Sequence, residues 1–226
     1  MTPRARLAEN RQISSMFRLI SATPSPFARK VRIALMEKGL SFQLITEVPW
    51  DSATQTPKFN PLEKLPVLIL DDGSTVYDSS YILEFLELKY PKPPLLPADV
   101  DGILAAKRLD VLCNGICDAL VLFFFERMRG EDKRSAEWTA RQERKIAGGL
   151  REIARLVGAR EYAVGDSFSL GDIAAATAVG YVSVRYPDMP WRSLYPDLAA
   201  YSDCMETRPS LAATRPVPQT MRDKVV

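Results

Sequence analysis

The chain has 226 residues, 46% hydrophobic and 26% charged, so it is neither globally disordered nor too short for a sizeable core. Thirty Lys+Arg face 28 Asp+Glu, and the excess of two sits in the first fifteen residues, where Arg4, Arg6 and Arg11 outnumber Glu9. A neutral body argues against a nucleic-acid partner or an anionic membrane surface. There is no histidine, which excludes Ser-His-Asp and Cys-His machinery, His-ligated metal sites and imidazole acid–base catalysis.

In chain order, residues 1–15 are basic but lack the apolar core of a secretory signal, and they read as a loose extension with Met16 opening the fold. Phe17 to Ser21 reads as a strand. The turn-rich Thr23-Pro24-Ser25-Pro26 follows, then a helix from Phe27 to Lys38 that Gly39 ends. Ser41 to Glu47 alternates like a second strand, with Phe42 and Leu44 on its apolar face. Val67 to Leu70 and Ser74 to Tyr77 flank Asp71-Asp72-Gly73, a hairpin signal. Asp78 to Tyr90 then reads as an amphipathic helix.

Proline-rich residues 91–98 cannot continue that helix and form a semi-rigid linker. Beyond it the chain turns wholly helical. Leu104, Leu109, Leu112, Ile116, Leu120 and Phe123 form one stripe, and Trp138, Ile146, Leu150, Ile153 and Val157 another. Ser169-Leu170-Gly171-Asp172 opens a nearly all-apolar helix, Ile173 to Val184, with Ser169 as N-cap and Asp172 capping back. A last helix around 193–207 precedes a loose tail, 210–226.

Three cysteines, Cys113, Cys117 and Cys204, are an odd number that fits a reducing, cytoplasmic setting better than a disulfide framework. Cys113 and Cys117, four apart, fit one helix face, as two small half-buried residues or, less simply, a metal pair lacking further ligands. No stretch approaches the ~18 apolar residues of a membrane span.

Ser25-Pro26-Phe27-Ala28-Arg29-Lys30-Val31-Arg32, Asn60-Pro61-Leu62-Glu63-Lys64-Leu65-Pro66-Val67, Asp78-Ser79 and Ser169-Leu170-Gly171-Asp172 occur in this order. Together they resemble the cytosolic glutathione S-transferases, in a serine-type (theta- or zeta-like) form similar to the small bacterial YibF-like branch. The resemblance spans roughly residues 16–209. It implies an α/β plus all-α fold: an N-terminal thioredoxin-like domain over 16–90, then a helical-bundle domain over 99–209. By the same resemblance Ser25, Phe27, Lys64, Leu65, Pro66, Asp78 and Ser79 would hold glutathione, the co-substrate, with no metal. Ser25 would be catalytic.

A thiol near pKa 8.5 must drop roughly two units to be mostly thiolate at neutral pH, which requires about 2.7 kcal/mol. A hydrogen bond to a charged group supplies ~1.5–3 kcal/mol and a helix N-terminus ~0.3–2 kcal/mol, so a hydroxyl at such an end suffices without histidine. Ser25 also suits simple N-capping, and Thr23 is its nearest rival. By resemblance Leu65 would pair its backbone with the cysteinyl unit beside a cis Pro66, Asp78 and Ser79 would meet the γ-glutamyl group, and Lys64 the glycyl carboxylate. Glu63 stands where many relatives have glycine. Asp78 replaces the more frequent glutamate.

No cysteine precedes Cys113, so the reactive sulfur must arrive with glutathione, and no tyrosine precedes Tyr77. Phe123 and Phe124, within the run Phe123-Phe124-Phe125, are acceptor-site candidates for a small hydrophobic electrophile, with packing or dimer contact the plainer role. Trp191 is a weaker candidate. The resemblance implies a homodimer. A glutathione-dependent isomerase or disulfide reductase and a non-catalytic adaptor of the stringent-starvation type remain alternatives.

Overall fold

A computed structural model describes residues 16–222. The expected extension over 1–15 and the last four residues of the tail lie outside the described residues. The N-terminal half runs β1 (Phe17–Ser21), α1 (Pro26–Glu37), β2 (Phe42–Thr46), β3 (Val67–Ile69), β4 (Thr75–Val76) and α2 (Ser79–Lys89). Its sheet has the order β2-β1-β3-β4, with β1 parallel to β2 and antiparallel to β3. Alternation along β1 sends Phe17 and Leu19 to one face and Ile20 to the other. The first face packs on α1. The second builds a smaller cluster from Ile20, Ala22, Leu65, Val67 and Ile69.

β2 lies at the sheet edge, and there the expected face is wrong: Leu44 is 43% exposed, while Phe42 and Ile45 are the half-buried residues. Only one strand flanks β2, so its apolar residues are taken up by whichever cluster reaches them. Gly39, at φ +64°, follows α1 as expected.

The helical half comprises α3 (Val100–Met128), α4 (Ala136–Val157), α5 (Leu170–Arg185), α6 (Trp191–Leu194), α7 (Pro196–Met205) and α8 (Pro209–Ala212). The expected single helix over 193–207 divides because Pro196 lacks an N–H and restarts the chain as the first residue of α7. Helix α5 is buried from Leu170 to Val179, as its composition requires. Its capping box is present: Asp172 accepts from Ser169 N at 2.8 Å and adds the Tyr201 hydroxyl at 2.8 Å. Leu104 and Trp138 leave the expected stripes and are exposed.

The two halves share one continuous core, from Phe17 and Val31 through Leu109 and Phe123 to Val179 and Leu211. Basic residues of α1 and its C-cap, Lys38, are buried. Arg29 Nη2 reaches Glu206 at 2.7 Å, and Lys38 Nζ reaches Glu87 at 2.6 Å and the Tyr90 and Pro93 carbonyls at 2.9 Å each. The linker is therefore anchored, with Leu95 buried and its carbonyl accepting from Leu170 N at 2.7 Å.

The expected loose tail is also corrected. Leu211 and Thr214 are buried, Thr23 Oγ1 donates to the Val217 carbonyl at 3.0 Å, and Gln219 Nε2 to the Glu47 carbonyl at 3.2 Å. Composition suggested looseness, but prolines that form no regular element still pack when neighbouring side chains bind their backbone. Among the described residues no helix is long and apolar enough to cross a membrane.

Candidate functional site

Ser25 closes the β1–α1 turn through its N–H, which donates to the Ala22 carbonyl at 3.1 Å, and it is the N-cap of α1. Its Oγ accepts from Ala28 N at 3.2 Å. That bond uses an acceptor lone pair and leaves the hydroxyl proton free to donate. Capping and ligand binding are thus compatible in one side chain. The rival Thr23 is committed, since its hydroxyl donates to Val217.

Beside it runs the loop 60–66. Asn60, buried, donates from Nδ2 to the Lys64 carbonyl at 2.8 Å and accepts from Leu62 N at 2.9 Å, which shapes the loop from within. Glu63 adopts φ +55°, the left-handed region that favours glycine. The Leu65–Pro66 bond is cis. The Leu65 N–H and C=O form no hydrogen bond among the described residues, so a donor–acceptor pair stands open next to β3.

Asp78 caps α2, its Oδ1 accepting from Ser80 N at 2.7 Å, and its remaining oxygen faces solvent. Ser79 is 1% exposed and its Oγ has no hydrogen-bond partner. A buried hydroxyl without a partner is costly, and this one lies in the first turn of a helix, where anions are favoured. Ser80 turns the other way: its Oγ donates to Asp110 Oδ2 at 2.8 Å and accepts from Asn114 at 3.0 Å. Lys64 is exposed.

Three groups from α3 border this region that sequence reasoning did not single out. Asp110, Asn114 and Asp118 recur every four residues, the spacing of one helix face. Lys30 Nζ joins the first two, at 2.7 and 2.6 Å. Asp118 lies in the field of Lys64 and Asp78. Desolvation pushes its carboxyl up, Lys64 opposes, and the Asp78 carboxylate adds to the rise. The polar four-residue spacing beside the apolar stripe was the signal that would have found them.

Further along α3 the face becomes aromatic. Phe125 meets Trp50, from the loop after β2, with ring centroids 4.1 Å apart. Phe124 is half-buried under Arg185, whose guanidinium carbon stands 3.8 Å from the ring centroid. Phe123 does not take the place expected for an acceptor residue: it is 1% exposed and packs against Tyr186 at 4.7 Å. Consecutive helical residues point about 100° apart, so the core-facing position could fall to only one of the three. Trp191 is likewise buried. Pro26 is buried at the start of α1, and Phe27 is half-buried against the core.

Comparisons with known proteins place the chain in a family. Residues 24–89 match the glutathione S-transferase N-terminal domain and residues 136–204 its C-terminal domain. The chain belongs to the glutathione S-transferase family. It is 33% identical over 199 residues to the uncharacterized transferase-like protein YibF of Escherichia coli K12, covering 88% of this chain and 98% of that protein. A glutathione S-transferase from Methylobacterium radiotolerans, solved in complex with glutathione sulfonate, superposes with a TM-score of 0.92 at 66% identity, covering 93% of this chain and all of that one. Another from Methylobacillus flagellatus, with glutathione bound, gives 0.85 at 36%, covering 89% of this chain and 100% of its own. As in the expected fold, a four-stranded thioredoxin-like sheet with its helices precedes an all-helical half. Among the described residues no cluster of three or more metal-ligating side chains occurs.

Proposed function

We propose that this protein activates glutathione as a thiolate for attack on small hydrophobic electrophiles. The carrying observation is Ser25: its oxygen already accepts from Ala28 N, so its proton is the free half and can donate to a sulfur at the N-terminus of α1. That donor and the helix end stabilise negative charge on sulfur. The thiol proton leaves to solvent. The sulfur lone pair then forms the bond to carbon while the leaving group departs with its electron pair, and no covalent enzyme intermediate is needed.

The rest of the peptide finds matching chemistry. The open Leu65 N–H and C=O suit the cysteinyl backbone, the unpartnered Ser79 hydroxyl suits the γ-glutamyl carboxylate, and the solvent-facing oxygen of Asp78 suits the ammonium. Lys64 is left for the glycyl carboxylate. The acceptor would lie against Phe124, Phe125 and Trp50, at the aromatic end of the α3 face.

Tyr81 and Leu88 of α2 and Val100, Leu104 and Val111 of α3 are all exposed apolar residues, which supports a homodimer across α2 and α3. Unpaired cysteines support a cytoplasmic location.

Titration calorimetry with glutathione, followed by turnover of an aryl halide, tests the proposal on wild type and Ser25→Ala. The variant should bind glutathione while its turnover and its ultraviolet thiolate signal fall, turnover by roughly tenfold or more. Wild-type-like turnover in Ser25→Ala would discard the role given to Ser25, and no glutathione binding by wild type would favour the adaptor alternative.

A further inference from the structure

An open cleft of about 250 Å³ is lined by Arg29, Gly180, Ser183, Arg192, Ser202 and Arg215, with Asp203 and Glu206 at its wall. None of these residues belongs to the proposed glutathione cleft. Arg29 is 1% exposed and reaches Thr214 Oγ1, Glu206 and the Leu211 carbonyl through Nε and Nη2. Its Nη1 is buried without any partner. A Cβ at position 180 would stand 2.8 Å from that nitrogen, so glycine keeps the room it occupies.

The charges around the cavity do not cancel. Arg215 donates to Glu206 Oε2 at 3.2 Å, Arg29 shares the same carboxylate, and Arg192 pairs with Asp203. Three guanidinium groups therefore face two carboxylates. The surplus is positive, one of its N–H donors is buried and idle, and the Ser202 hydroxyl lines the same place. A water would satisfy the idle N–H but not the surplus charge. A bound cation would worsen it.

We propose that this cavity binds a phosphate-type oxyanion, with Arg29 Nη1 as its buried donor and Arg215 and Arg192 at its mouth. Guanidinium groups hold such oxygens through charge-assisted hydrogen bonds, and here only Arg29 is shielded from water, the Arg192 and Arg215 side chains being 52% and 62% exposed. The occupant would also brace α1 against α5 and α7, because Arg29 lies one turn after Ser25 on the same helix, its N–H bonded to the Ser25 carbonyl at 3.0 Å. The site is independent of the glutathione reading and stands or falls separately.

The test is thermal unfolding of the full chain with saturating glutathione, titrated with inorganic phosphate or with sodium chloride at equal ionic strength. Phosphate should raise the midpoint saturably and chloride should not. Arg215→Gln should raise the half-saturating phosphate concentration roughly tenfold, the loss of one charge-assisted bond. Because half-saturation is compared rather than the midpoint itself, a less stable variant still reports. Glycerol phosphate acting like phosphate would extend the site to phosphomonoesters, and its failure to act would confine the site to the free anion. An equal response to chloride, tighter binding of acetate than of phosphate, or an unchanged half-saturation in Arg215→Gln would overturn the proposal. A crystal soaked in tungstate should show the anion beside Arg29 Nη1, and only water there would overturn it as well.

Discussion

Lys30 Nζ stands 2.7 Å from Asp110 Oδ1, an ion pair whose lysine side chain is 3% exposed and which fastens α1 to α3. Asn114 accepts from the same ammonium, and Ser80 holds the other Asp110 oxygen. Deleting one partner of a buried pair leaves a charge that the interior cannot solvate. Asp110→Ala should therefore lose about 3 kcal/mol of stability, the low end of the ~3–5 kcal/mol range for such deletions because Asp110 keeps some solvent. A combined Lys30→Met and Asp110→Leu variant should recover most of it. Urea unfolding decides this, and a single-variant loss near zero would show that the pair contributes nothing.

Ser79 gives opposite signs in two assays. Its hydroxyl is buried and unpaired in the free protein, so Ser79→Ala should raise stability by roughly 1 kcal/mol. The same change removes a donor to the proposed γ-glutamyl carboxylate and should weaken glutathione binding roughly tenfold. Thermal unfolding without ligand and calorimetry with it measure the two effects. A variant that loses both stability and affinity would mean that Ser79 is merely structural.

The three thiols should separate cleanly. Burial pushes Cys117 up to about 12 and Cys113 well above its ordinary value, so neither ionises near neutral pH. Cys204 is exposed. A disulfide reagent at pH 8 should titrate one thiol quickly in the native protein and the other two only after denaturation. Fast reaction of all three would contradict the burial of the pair on α3.

Glu37 predicts an acid-sensitive joint. Burial works to raise its carboxyl, but hydrogen bonds from Arg208 and Ser210 outweigh that and leave it below 4.5. A carboxyl depressed in the folded state contributes stability above its unfolded pKa and loses that contribution as pH falls through the folded value. Wild type should thus lose stability more steeply than Glu37→Gln below about pH 4.5. Parallel acid limbs in the two proteins would remove Glu37 from the account.

Much of this was legible because the informative signals are local. The Ser25-Pro26 turn, the Gly39 stop, the hairpin at Gly73 and the Ser169–Asp172 capping box each depend on residues within a few positions of one another, and each formed where the chain spelled it. Buried charge was not legible. Nothing local marks Arg29 and Lys30 as buried, because their partners Glu206 and Asp110 lie far along the chain. The tail misled for the same reason, since Thr23 binds its backbone and the Glu47 carbonyl takes the Gln219 side chain, both from the opposite end of the sequence. Phe123 and Phe124 look alike in sequence; only the rotation of α3 relative to α5 decides which one enters the core.

The buried cations of α1 and its C-cap also bear on how such proteins can be recombined. Lys38 takes its acceptors from α2 and the proline-rich connection, whereas Arg29 and Lys30 take theirs from the helical half. A chimera cut at the linker would keep the first set and strand the second, leaving two ammonium or guanidinium groups facing a foreign surface. Grafting a different helical half to change acceptor preference therefore requires transplanting Asp110, Asn114 and Glu206 with it. The two halves are exchangeable only as a matched pair.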